Sequence, residues 1–245
     1  MSPRKAVETF APTAERYARQ EMGRYIPDIV LGLAEPVDGD RLLDLGAGPG
    51  TLTRLFEPYV GLAVGMDVTP QMLDEYRLRT RGIAVAADGE CLPFADGSFT
   101  LVVCGSVFHH LADPAAATKE VARVLRPGGR FLLIDMAAPE EPHRRAARDR
   151  VEAARDPSHI ATLSPSMVHA ALMWAGLRPR AEERQVEDKR DDEWVELTGG
   201  DLQRVRDAIR ADEDKAAGFL ALRWEPAGHY VFRRERGYYL AVKPG

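Results

Sequence analysis

Two cysteines in 245 residues, Cys91 and Cys104, are too few for a disulfide framework. They also lack the C-x-x-C spacing of a redox or zinc site. No apolar run reaches the roughly 20 residues of a membrane-spanning helix, and the N-terminus has no signal-peptide core. An excess of positive charge is lacking as well, with 33 Lys and Arg against 38 Asp and Glu. A formal net charge of −5 argues against a nucleic-acid substrate, which needs a basic face. The expectation is a soluble, cytoplasmic protein with no nucleic-acid partner and no membrane insertion. Nor is there a His, Cys and carboxylate cluster at metal-ligand spacing; the adjacent His109-His110 would point apart and chelate poorly. The G-x-G-x-x-G of a nicotinamide-binding turn is missing too. What is present is enough chain to bury a sizeable core in one α/β domain with additions.

The most informative stretch is Leu42-Leu43-Asp44-Leu45-Gly46-Ala47-Gly48-Pro49-Gly50. Apolar residues run into an acid and then into glycines at alternate positions, as when a buried strand turns sharply into a helix near Thr51. Glycine lets the backbone adopt positive φ and approach a ligand closely, while the helix offers its unpaired N–H groups to the turn. An acid at the strand end repels phosphate and suits a cationic group. Leu62-Ala63-Val64-Gly65-Met66-Asp67 is a second apolar strand ending in an acid, about 20 residues beyond the turn, where a carboxylate ordinarily receives ribose hydroxyls. Thr69-Pro70 then opens a helix, with Thr69 as N-cap.

Two further segments follow in order. Asp88-Gly89-Glu90-Cys91-Leu92-Pro93-Phe94 leads into Asp96-Gly97-Ser98-Phe99. Leu101–Leu111 reads as a buried strand entering a loop that carries His109 and His110; Asp113-Pro114 caps the next helix, which stops at Arg126-Pro127-Gly128-Gly129 before a strand over 130–135. These four motifs together resemble the class I S-adenosylmethionine (SAM)-dependent methyltransferases, specifically the small-molecule type of ubiquinone and menaquinone biosynthesis. The likeness is strong over residues 41–136 and only outlined elsewhere. Thr100 departs from the pattern, which commonly has a second Asp there.

The resemblance implies a doubly wound α/β fold: a mostly parallel seven-stranded sheet with an antiparallel last strand, a helical N-terminal segment and C-terminal helical additions. It implies one domain over 1–245, with 1–40 a helical lid, 41–136 the SAM-binding core and 137–245 the substrate-side helices and final strands. It implies SAM as cofactor, with contacts from Asp44, Gly46, Ala47, Gly48, Gly50, Asp67, Val68, Met72, Asp88, Gly89 and Ser106. Asp67 would hold the ribose, and Asp88 the adenine amino group. Tyr17, at helical spacing from Phe10 and Ala14, is a candidate lid over the cofactor or else a packing tyrosine. The partner would be a small organic acceptor with an O-, C- or N-nucleophile, and the protein a monomer or homodimer. A SAM-binding protein of the same fold doing cyclase or lyase chemistry, or binding only, is the alternative.

Catalytic candidates are few because the donor supplies the electrophile; a base is needed only if the acceptor must lose a proton. His109 and His110 sit in the loop after the fourth strand, where the acceptor should lie, and either could be a base or a loop brace. His159 is a further candidate on a loop that could fold over the pocket, or another brace. Arg144, Arg145, Arg148 and Arg150 are interleaved with acids and read as a solvated helix face. A helix from Pro165 through Trp174, stopped by Gly176, would form the acceptor wall with Met167 and Trp174. A strand from Leu177 follows. Residues 191–212 read as amphipathic helix broken at Gly199-Gly200, and Tyr230–Phe232 with Tyr238–Val242 as an antiparallel pair around Arg236-Gly237.

Overall fold

Apolar runs buried on both faces form the centre of the sheet. The computed structural model describes residues 3–20, 25–196, 198, 200–212 and 220–245. Strand β1 (Arg41–Leu45) lies parallel to β2 (Leu62–Asp67) and β4 (Phe99–Gly105), with β3 (Ile83–Ala86) outside β2 and β5 (Leu125–Met136) outside β4. Antiparallel to β5 runs β8 (His229–Val242), with β6 (Arg178–Arg190) at the far edge. The order is β3-β2-β1-β4-β5-β8-β6, and the short β7 (Leu220–Glu225) adds an eighth strand against the upper half of β8. This is the mostly parallel sheet with an antiparallel last strand that the sequence led us to expect.

Alternation of side chains divides the core between the two faces. Leu43, Leu45, Val102, Cys104, Leu133 and Tyr239 pack on one face, against α6 (Pro114–Val124) and α8 (Pro165–Trp174). Leu42, Leu101, Val103, Leu132, Ile134 and Tyr238 pack on the other, against α3 (Pro27–Ala34) and α4 (Thr51–Phe56). Helix α5 (Pro70–Arg79) begins at Pro70 as expected, and the Asp113 side chain accepts from the Ala116 N–H at 2.9 Å to cap α6. Gly176 adopts φ +82° just past α8. The N-terminal segment forms α1 (Pro3–Phe10) and α2 (Ala14–Gln20) before α3; positions 1–2 and 21–24 of the expected lid lie outside the described residues.

Three expectations change. The apolar runs before and after Arg236-Gly237 are one 14-residue strand, because the pairing of Asp135 with Gly237 and of Arg184 with Gly237 carries straight through. Arg126–Gly129 does not separate helix from strand; it is a bulged stretch within β5, whose register shifts between Phe99 and Leu101. Helix α7 (Pro142–Arg155) is not a wholly solvated face, since Arg148, Glu152 and Arg155 are buried. Helices α9 (Asp191–Glu196) and α10 (Leu202–Ala211) divide as expected near Gly200, with Leu197 and Gly199 outside the described residues. Together α7, α9 and α10 enclose a third apolar cluster of Val151, Trp194, Val205, Ile209 and Phe232 against β8.

Candidate active site

The glycine turn is built from backbone requirements first. The N–H groups of Gly46 and Ala47 both donate to the Met66 carbonyl, at 2.8 and 2.9 Å, fixing the turn across the ends of β1 and β2. Gly48 has φ +52°, and a Cβ there would meet nothing within 4 Å because it would point into open space. That space is a cavity open to solvent at the carboxyl ends of β1, β2 and β4. Gly50, at φ +87°, is different. It is not part of the cavity wall; a Cβ would run into Thr80 and Tyr76, so this glycine permits a left-handed N-cap and close packing behind the turn.

Acids at strand ends hold the turn in place. Asp44 is buried, and its Oδ2 accepts from the N–H of Thr53 at 2.9 Å and its hydroxyl at 2.8 Å, pinning α4 to β1. Asp67 Oδ2 accepts from the Gly48 N–H at 2.9 Å and Oδ1 from the Thr69 N–H at 2.8 Å. Burial pushes the Asp67 carboxyl above its usual value, against the lowering pull of these N–H groups. Thr69 sits at the N-cap of α5, yet its side chain makes no cap bond; Asp67 serves its backbone instead. Asp88 accepts from the Glu90 N–H at 3.0 Å in a turn of its own. Asp44, Gly46, Ala47, Gly48, Asp67, Val68, Met72, Asp88, Gly89 and Ser106 all line the cavity.

The N-terminal segment contributes aromatic surface. Tyr17, Phe10, Ala6 and Tyr25 complete the wall, and the Phe10 ring stands edge-on to Tyr17 at 5.7 Å and to His110 at 5.4 Å. Phe10 shares the helical spacing that marked Tyr17, whereas Tyr25 carried no motif that would have marked it as a wall residue. Arg123 was missed as well. It clamps the segment after Asp88, donating to the carbonyls of Phe94 at 2.7 Å and Leu92 at 2.9 Å.

The histidines part company. His110 lines the cavity, whereas His109 is buried beneath it, with Nδ1 2.7 Å from Asp135 Oδ1. Asp135 is another acid near a strand end, the signal that marked Asp44 and Asp67 and could have found it. Burial pushes the Asp135 carboxyl up, but His109 and the N–H of Met136 overcome it and hold it at about 2. His110 Nδ1 lies 3.2 Å from the Ser158 carbonyl and 3.1 Å from its hydroxyl. Burial, then the neighbouring His109, lower His110 to about 3, so it is neutral at pH 7. His159 is turned inward with Nε2 2.9 Å from Asp149 Oδ1, and outside the cavity wall. Its loop nevertheless backs the site, since the Ile160 N–H donates to the His109 carbonyl at 2.9 Å.

Met167 and Trp174 of α8, expected as the acceptor wall, do not line the cavity. Met167 and Trp174 are exposed, and Trp174 lies under the Lys119 ammonium at 3.7 Å on the outer surface. Thr100, the departure from the pattern, sits far from the cavity at the opposite end of its strand, where its hydroxyl donates to Asp40 at 2.6 Å. Among the described residues no group of three or more His, Cys, Asp or Glu side chains could hold a metal, and no helix is long and apolar enough to cross a membrane.

Known proteins match this arrangement. Residues 43–133 match the methyltransferase-domain family. The chain is 32% identical over 208 residues to the uncharacterized methyltransferase YcgJ of Bacillus subtilis, covering 82% of each chain. The crystal structure of YcgJ superposes with a TM-score of 0.81 at 27% identity, over 89% of this chain and 98% of that one. A demethylmenaquinone methyltransferase of Corynebacterium kroppenstedtii is 36% identical over 108 residues, which is 44% of this chain and 47% of that protein. The cyclase SpnF shares the fold, at a TM-score of 0.64 and 16% identity over 100% of this chain and 97% of that one. With its sheet order, its glycine turn and a relative matched over four-fifths of both lengths, the chain belongs to the class I SAM-dependent methyltransferase family.

Proposed function

We propose that the chain binds SAM in the large cavity and transfers its methyl group to a small organic acceptor. One observation carries the reading: Gly48 opens onto the cavity where a Cβ would intrude, while Asp67, Asp88 and Asp44 converge on it with no lysine or arginine among the described residues of the wall. SAM, when bound, supplies an electrophilic methyl carbon. The chain has to bind, align and exclude water. Asp67 takes the Gly48 N–H on one oxygen and the Thr69 N–H on the other and faces the cavity, where it would accept from the ribose hydroxyls. Asp88 and Gly89 line the adenine end, and Tyr17 with Phe10 close the lid side.

His110 is the histidine placed to touch the acceptor. An imidazole held near 3 is a poor base at pH 7, so it orients an acceptor by hydrogen bonding rather than removing its proton. Acceptors that arrive ionised, or with a free lone pair, suit such a site. The test is incubation with SAM and a panel of small phenols, quinol precursors, amines and polyketides, read by mass spectrometry. Methylated product with S-adenosylhomocysteine is the expected result. Acceptor conversion without added methyl would establish cyclase or lyase chemistry, and SAM binding with no conversion of any acceptor would leave a binding protein.

A further inference from the structure

A neutral imidazole has one nitrogen that donates and one that accepts, and whatever meets the first decides what the second can do. His110 is the histidine of the cavity wall. Its ring is held on two sides, by the His109 ring at 4.0 Å and the Phe10 ring at 5.4 Å. The two nitrogens then face different surroundings. Nδ1 is turned to Ser158, 3.2 Å from the carbonyl oxygen and 3.1 Å from the hydroxyl. Nε2 has no hydrogen-bond partner among the described residues, yet it is not one of the sealed atoms that lack one. Asp156 Oδ2, at 4.0 Å, is beyond hydrogen-bond range of it. Nε2 is left to the cavity.

The turn Asp156-Pro157-Ser158 decides which nitrogen carries the hydrogen. Ser158 is fully buried and Asp156 nearly so. Asp156 Oδ1 accepts from the Ser158 N–H at 2.8 Å and from its hydroxyl at 2.5 Å. Burial pushes the Asp156 carboxyl up, but Arg155 and the two Ser158 donors hold it below its usual value, so it only accepts. The one hydroxyl hydrogen of Ser158 is therefore committed to Asp156, and both serine oxygens present lone pairs to His110. A bare Nδ1 would stand against those two oxygens at contact distance, whereas an Nδ1–H donates to them. The reverse tautomer gains no bond in exchange, since a hydrogen on Nε2 would still be out of reach of Asp156. With the ring neutral at pH 7, Nε2 carries only a lone pair.

We propose that Asp156 and Ser158 are positioning residues that fix His110 as its Nδ1–H tautomer, so that the site selects a methyl acceptor bringing an N–H or O–H group to Nε2. The inference rests on the reading of the cavity as a methyl-transfer site and names the class of acceptor it takes. A neutral amine or hydroxyl qualifies at its own nucleophilic atom, where the bond to Nε2 leaves a lone pair for the methyl carbon. An acceptor ionised at its nucleophile qualifies only with a second donor beside it. Ethers and tertiary amines offer Nε2 nothing and are excluded.

Long-range proton–nitrogen correlation spectra of the nitrogen-labelled protein at pH 7 read the tautomer, with His110→Phe assigning the signals. A hydrogen on Nδ1 and a bare Nε2 are expected; a hydrogen on Nε2, or on both, overturns the proposal. Asp156→Ala frees the Ser158 carbonyl, so the Nε2–H form should appear in the folded variant, and an unchanged tautomer overturns the role of the turn. Asp156→Asn keeps an acceptor for Ser158 and should retain the wild-type tautomer. The wild-type spectrum decides the tautomer even if Asp156→Ala fails to fold.

Calorimetry on the protein saturated with S-adenosylhomocysteine compares phenol with anisole, which carries a methyl in place of the hydroxyl hydrogen. Phenol should bind about fivefold more tightly, and His110→Phe should erase the difference. Equal affinity for the two probes, binding of neither, or a phenol advantage that survives in His110→Phe overturns the acceptor class. Failure of S-adenosylhomocysteine itself to bind would instead overturn the methyl-transfer reading, with the tautomer still read in the free protein.

Discussion

His109 Nδ1 and Asp135 Oδ1 lie 2.7 Å apart with both side chains almost wholly buried, joining the loop after β4 to the end of β5. The same carboxylate accepts from the His109 N–H at 3.3 Å and the Met136 N–H at 2.7 Å, so a single acid fixes the loop that presents His110. His109→Ala leaves that carboxylate buried and short of a partner. Denaturant unfolding at pH 7 should show a loss of about 3 kcal/mol. Since Asp135 titrates near 2 when folded and near 3.8 when free, its contribution is complete above about pH 4 and lost as pH falls toward 2. Asp135→Asn should flatten that part of the stability profile.

His110 is likewise held deprotonated, but without charge. It stays neutral when folded, with a value near 3 against 6.5 when free, so the unfolded chain gains a proton first as pH falls below 6.5. Stability should therefore decline between pH 6.5 and 5 by up to about 1.4 kcal/mol per unit. His110→Gln should reduce the slope in this window, and an unchanged slope would assign it to another group.

Gly48→Val should abolish SAM binding in a folded protein, because the branched side chain would enter the cavity at a φ that valine tolerates poorly. Calorimetry gives the affinity and circular dichroism the fold. Normal SAM binding, or loss only through unfolding, would contradict the assignment.

Asp67→Ala should weaken SAM by roughly 2–3 kcal/mol, through loss of the acceptor for two hydroxyls. Part of that loss would be indirect, because Asp67 also holds the Gly48 and Thr69 N–H groups. Asp67→Asn keeps an acceptor oxygen and should fall between the two.

Met167→Ala and Trp174→Ala should leave acceptor preference unchanged in the product screen, since both side chains face solvent away from the cavity. A shift in preference would move the acceptor wall onto α8.

Much of this site was legible because its chemistry is local. A glycine turn, an acid at a strand end and a proline at a helix start are each set by a few consecutive residues, and Gly48, Asp67 and Asp113 stand where their neighbours require. Gly50 was misread for a similar reason: its place in the turn is local, but what its Cβ would strike, Tyr76 and Thr80, comes from α5 and the turn after it. Arg148 and Glu152 looked like one solvated i,i+4 pair, and their spacing is indeed that of neighbours on a helix. The sequence could not show that β8 and α10 would pack against α7.

The sequence by itself determined the order of strands and helices over residues 41–136, the glycine turn and the acids that hold it, because each follows from backbone sterics, capping and alternation over short windows. Only the tertiary structure decided which of two adjacent histidines meets the cavity and which is locked to Asp135, and only it gathered Arg148, Arg155 and Arg234 around Glu152. Those outcomes depend on the register of β5 against β8 and on helices packed across them. Contacts between residues a hundred positions apart are set by the packing of whole elements, to which local pattern contributes but which it does not specify.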